Sequence, residues 1–109
     1  MIKLKIIWSL FAEEKLDEIF EYHKTEANIR IARRLIYNLI KATDILIKNP
    51  YIGQVDELLI DRTESYRYLL HGNYKVIYSV DTEKGFIKIA DIFDTRQNPL
   101  KISKSKAIV

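Results

Sequence analysis

The chemistry open to this chain is bounded first by its nucleophiles and bases. It has no cysteine, which removes a disulfide framework, a thiolate zinc site and a thiol nucleophile together. Its two histidines, His23 and His71, are too few for a histidine-rich metal site, so no metal or cofactor is expected. An unperturbed imidazole titrates near neutrality, which makes His71, beside Gly72 between two strand-like runs, the candidate for proton transfer. The same position suits a plain surface turn residue. His23 falls on the apolar stripe of a helix and is expected to be packed. Tyr66, Tyr68, Tyr74 and Tyr78 could stack on bases, but their shared parity with valines reads as core aromatics. Arg67, Lys75 and Lys88 fall on the open face of the same strands, where solvated charges are the plain reading.

The distribution of charge says more than its sum. The net charge is +3 over 109 residues. All fifteen acids lie at or before Asp94, in company with fourteen of the eighteen basic residues. Arg96, Lys101, Lys104 and Lys106 follow with no acid among them. Such a basic tail, 97–109, suits a phosphate or an acidic protein segment, or serves only as a solvated end. The 48% apolar and 30% charged composition is that of one globular domain. No apolar run approaches a membrane span, and the first residues lack the apolar stretch of a signal peptide. A single soluble domain over 1–109, cytoplasmic and without a membrane partner, is the expectation.

Several elements must position these side chains. Residues 2–8 alternate apolar and basic, as a strand with one buried face does. Ser9 sits where a helix N-cap belongs. Ala12, Leu16, Ile19, Phe20 and His23 then line one side of a helix to about His23 or Lys24, with Glu13, Glu14, Asp17, Glu18 and Glu21 on the other. A second helix is predicted from Ala27 to Lys48, with the stripe Ala32, Leu35, Ile36, Leu39, Thr43, Leu46 and Ile47. Arg30, Arg33, Arg34 and Lys41 decorate it, and Asn49-Pro50 stops it. Residues 51–65 read as a loop. Three strands follow, 66–70, 74–80 and 86–93, as a meander that the first strand can join at an edge.

Period-2 alternation assigns Tyr66, Tyr68, Leu70, Tyr74, Val76, Tyr78, Val80, Ile87, Ile89 and Phe93 to the face under the helices. Arg67, Leu69, Lys75, Ile77, Ser79, Lys88, Ala90 and Ile92 go to the other face. Asp91 falls by parity on the apolar side, where an unpaired carboxylate is costly. It needs a hydrogen-bonded partner, or a bulge must shift the register.

The order strand, helix hairpin, three-stranded meander, basic tail resembles the RelE/ParE superfamily of toxins from bacterial type II toxin–antitoxin systems. Trp8-Ser9 opening the Ala12/Leu16/Ile19 helix is similar to the family's first helix. Asn49-Pro50 with Gly53 resembles its helix stop, and Arg67 before Asn73-Tyr74-Lys75-Val76-Ile77-Tyr78 its central hairpin. Ile92-Phe93-Asp94-Thr95-Arg96-Gln97-Asn98-Pro99 resembles its last strand and terminal arginine. The resemblance, which covers about residues 2–100, implies an α+β fold of order β-α-α-β-β-β. A helix hairpin would lie on a small, mainly antiparallel four-stranded sheet.

It also implies a toxin, the plasmid-stabilisation type of protein, that inhibits growth and is neutralised by a cognate antitoxin. RelE-like members cut messenger RNA on the ribosome, whereas ParE-like members poison DNA gyrase and are not nucleases. Metal-free RNA cleavage needs a base for the 2′-hydroxyl, an acid for the leaving oxygen and cations for the phosphorane. By family position Arg67, Lys75 and Arg96 would hold the phosphate; His71, as the remaining proton-transfer candidate, would assist. Lys75 replaces an arginine, losing its bidentate fork, and neither tyrosine nor histidine follows Arg96. The expectation is therefore ParE-like, with a RelE-like endoribonuclease and a degenerate antitoxin-binding module as alternatives. An antitoxin tail is expected across the helix hairpin and an Arg67/Lys75/Arg96 face.

Overall fold

The chain starts its sheet with a strand, β1 (Lys5–Trp8), and turns at once into a helix, α1 (Leu10–Glu26). The structure is a computed structural model that describes residues 3–55 and 65–96. Ser9 makes the turn: its Oγ accepts from the Ala12 N–H at 3.0 Å, as an N-cap must, and donates to the Ala90 carbonyl at 3.0 Å. One side chain thus caps the helix and ties it to the sheet. Asn28 repeats the cap for α2 (Ile29–Ala42), its Oδ1 accepting from Ile31 N–H at 2.9 Å. The single helix expected over 27–48 is broken at Thr43 and Asp44, whose N–H groups bond three residues back, to Ile40 and Lys41. Thr43 Oγ1 also bonds the Ile40 carbonyl at 2.7 Å. The short α3 (Ile45–Lys48) restarts beyond this tighter turn. Leu46 is buried there, while Ile47, expected inside, is exposed.

The sheet has five strands among the described residues, not four. Gln54–Val55 form β2, a two-residue edge strand inside the stretch read as a loop, and pair antiparallel with β3 (Tyr66–His71). With β4 (Tyr74–Asp81) and β5 (Phe86–Asp94) the order is β1-β5-β4-β3-β2. β1 runs parallel to β5 at one edge and the other pairings are antiparallel. The C-terminal tail 97–109 and the rest of the expected loop, 56–64, lie outside the described residues.

Two local features rearrange the expected faces. The β3–β4 turn is only Gly72-Asn73, with Gly72 at φ 58° as a II′ hairpin requires. His71 is therefore a strand residue opposite Tyr74, and Leu70 is opposite Lys75. Opposed residues share a face, so Arg67, Leu69 and His71 join Tyr78, Val76 and Tyr74 on the helix side. Tyr66, Tyr68 and Leu70 go to the far side, the reverse of the expectation. The second feature is a register shift at Ile77/Tyr78: Tyr78 opposes Ile89 while Ile77 opposes Asp91. Ala90 is the extra residue of a bulge, and it moves Ile92 to the helix side and Phe93 to the far side.

The main core accordingly joins Ala12, Leu39 and Leu46 of the helices to Tyr74, Val76, Tyr78, Ile87, Ile89 and Ile92. Tyr66, Ile77, Ala90 and Phe93 make a smaller cluster, with Tyr68 against it. Asp91 is 1% exposed at the bulge, and among the described residues its Oδ1 has no hydrogen-bond partner. Burial raises its pKa to about 6, with Lys15 of α1 and the Ile92 N–H pulling it down only in part.

Candidate functional site

The helix-side face of β4 presents two tyrosines four residues apart, and each gathers an arginine-bearing cluster. At one end the Tyr78 Oη accepts from the Gly53 N–H at 2.9 Å. Gly53 is required there, because a Cβ would stand 2.5 Å from Tyr78 Oη and 2.7 Å from the Tyr68 carbonyl. Arg67, opposite Tyr78 in the ladder, donates through Nη1 to the carbonyls of Gly53 at 2.9 Å and Tyr51 at 3.3 Å, and lies over the Tyr51 ring. Burial pushes the Tyr78 phenol up, against the opposing pull of the Gly53 hydrogen bond and Arg67. This end holds the chain after Pro50 against the sheet, and its arginine is committed to backbone.

At the other end the Tyr74 Oη lies 2.9 Å from His23 Nε2, joining the C-terminal half of α1 to the sheet. Tyr22 meets the His23 ring edge-on. Tyr74 is opposite both His71 and Asp94, so the three form a row across β3, β4 and β5. Arg96 closes on Asp94 in a fork, Nε to Oδ1 at 2.9 Å and Nη2 to Oδ2 at 2.7 Å, while its N–H bonds Oδ1. That hydrogen-bonded pair holds the Asp94 carboxyl below the usual range. Tyr74 is raised, by burial first and by the Asp94 charge next. A groove of about 510 Å³ opens here, lined by Lys15, Glu18, Ile19, Tyr22, Tyr74, Ile92, Asp94 and Arg96. Its walls carry two acids and two bases over an apolar floor, with a phenol–imidazole pair at one side. It can hold a polar side chain or exchange a proton.

The structure places the four sequence-derived candidates apart. His71 and Arg96 belong to the Tyr74 end, and Arg67 to the Tyr78 end of the same face. Lys75 is on the far side, opposite Phe93 and 4.2 Å from the centre of the Tyr68 ring. No single face therefore carries Arg67, Lys75 and Arg96 together. The His23–Tyr74 pair was not foreseen, because helical spacing put His23 on a packed stripe. Its packing is real, yet its Nε2 reaches a phenol on a strand 51 residues away. No local pattern encodes that contact.

The model of the ParE toxin of the type II toxin–antitoxin system, parDE, matches residues 6–99. Among solved structures, a chain from the chromosomal ParDE toxin–antitoxin system of P. aeruginosa superposes with a TM-score of 0.72. The two are 16% identical, and the match covers 86% of this chain and 98% of that one. No curated protein matches.

Proposed function

Because the chain belongs to the ParE toxin family of type II toxin–antitoxin systems, we propose that it halts growth by binding DNA gyrase, without cutting nucleic acid, and that a cognate antitoxin neutralises it. The observation that carries this reading is the fate of the cations. A phosphate needs several donors converging on one point. Arg67 is held by two backbone carbonyls, Arg96 by Asp94, and Lys75 stands on the opposite side of the sheet. The test is induced expression with early sampling. A DNA-damage response that precedes arrest of translation, rescued by the co-expressed antitoxin, is expected. Translation stopping first would overturn the choice of target.

One observation favours a second reading, a ribosome-dependent endoribonuclease. The His23–Tyr74 pair beside Arg96 supplies an acid–base couple that the sequence after Arg96 lacks. In that reading His23 and Tyr74 move the protons and Arg96 leaves Asp94 for the phosphate. Toeprinting of translating ribosomes decides it: codon-specific cuts that vanish in Tyr74→Phe would establish the nuclease. A chain that binds antitoxin yet shows neither effect would be the degenerate module.

A further inference from the structure

The helix hairpin carries its charge segregated by helix. α1 has Glu13, Glu14, Asp17, Glu18, Glu21 and Glu26 against Lys15 and Lys24, whereas α2 has Arg30, Arg33, Arg34 and Lys41 with no acid. Residues at i, i+4, i+7 and i+11 form one stripe of a helix. The stripe of α1 opposite buried Ala12 is Leu10, Glu14, Asp17 and Glu21. The stripe of α2 opposite buried Leu39 and Ala32 is Arg30, Arg34, Tyr37 and Lys41. All eight are exposed, Leu10 at 79% and Tyr37 at 61%. The two stripes share one spacing and carry opposite charge. Yet neither Arg30 nor Arg34 forms an ion pair with a described residue, and neither do Glu14 or Asp17; Glu21 has only Lys24 beside it.

We propose that this face is covered by a second copy of the chain, with α1 of each lying on α2 of the other. The inference goes beyond the proposed target and does not depend on it. α1 and α2 pack side by side and antiparallel. A two-fold axis parallel to them therefore lays α1 of one copy antiparallel on α2 of its partner, and the reverse contact follows by symmetry. In that register Glu21 comes level with Arg30 and Arg34, Asp17 with Tyr37, and Glu14 with Lys41. An acidic stripe then meets a basic one twice. Tyr37 of each copy supplies the apolar contact, since exposed ion pairs steer and select partners more than they hold them. A chain with acid on both helices, or base on both, would not close on itself in this way.

The test is sedimentation of the intact protein over a range of concentrations, at about 0.05 M and about 0.5 M salt. A dimer is expected, with a dissociation constant that rises at least about tenfold at the higher salt. Two variants sharpen it, Arg30→Glu/Arg34→Glu and Glu21→Arg. Each alone should be monomeric, because both of its helix contacts become repulsive. Mixed, the two should form a heterodimer, because both contacts are complementary again, and the mixing shows that each variant is folded. A protein monomeric up to about 1 mM at either salt overturns the proposal. So do self-association indifferent to either reversal and a mixture that stays monomeric. An acidic partner other than this chain on α2 would be read from a monomer that binds it.

Discussion

Tyr78 and Tyr74 point to the same side of one strand, each bonded to a group from a distant part of the chain and each near an arginine. They are otherwise opposites. Tyr78 is fully buried, its partner is a backbone N–H, and Arg67 beside it is tied to backbone carbonyls. Every hydrogen bond there is closed by the backbone. Tyr74 meets an imidazole, and the carboxylate and guanidinium next to it form a pair at the surface beside a groove. The same residue types, closed by backbone at one end and by titratable side chains at the other, make a structural clamp and an accessible site.

The sharpest way to break this comparison is to attack the clamp. Gly53→Ala forces a Cβ against both a buried phenol and a backbone carbonyl. We predict a loss of about 3 kcal/mol or more, read as a lowered denaturation midpoint. Retained stability would mean that the clamp gives way easily and the contrast is overdrawn.

Next in size is Asp91, whose neighbouring charges, Lys15 and Glu18, both line the groove. Its folded pKa of about 6 stands above the ordinary aspartate value of 3.8. The folded state therefore binds the proton more tightly, and stability is highest below the unfolded pKa. It falls as pH rises toward about 6 and levels off above that. The penalty at neutral pH is about 3 kcal/mol at most. Asp94 has the opposite sign: its lowered pKa favours folding above the unfolded value and is lost on acidification, weakly because the pair is at the surface. Asp91→Asn should raise the thermal midpoint at pH 7 and flatten its decline between about pH 4 and pH 6. Parallel curves for the two proteins would place a partner on Oδ1.

Tyr78→Phe leaves the Gly53 N–H buried without an acceptor and should cost about 1–3 kcal/mol. Tyr74→Phe, at a half-open end, should cost about 1 kcal/mol or less. Equal losses in chemical denaturation would erase the distinction between the ends. Smallest of all, Arg96→Ala should leave the denaturation midpoint unchanged, because its side chain is at the surface, while weakening antitoxin or target binding in a salt-dependent manner. Unchanged affinity at low salt would remove Arg96 from the site.

The element order was legible because it rests on local signals: the Ser9 cap, the helical stripe from Ala12, the stop at Asn49-Pro50, the alternation in β4. The face assignments failed at two places, each one residue wide. Reading His71 as turn rather than strand inverted β3, and with it Arg67. The bulge at Ala90 inverted Ile92 and Phe93. The parity conflict at Asp91 is the mark of that bulge, since a carboxylate at an apolar parity position asks for a break in the ladder. α2 broke at Thr43 because Thr43 and Asp44 tighten the turn, which no apolar period records. The Gly53–Tyr78 and His23–Tyr74 bonds join residues 25 and 51 apart in sequence. Only the folded sheet brings those partners together.

The central claim, that this toxin binds its target and cuts nothing, is tested most directly with the purified chain. Gyrase supercoiling and ribosome toeprinting would be run on the same preparation. We predict that supercoiling is inhibited, that inhibition is relieved by the antitoxin, and that no new toeprints arise. Codon-specific cuts within minutes at substoichiometric protein, with supercoiling untouched, would contradict the account.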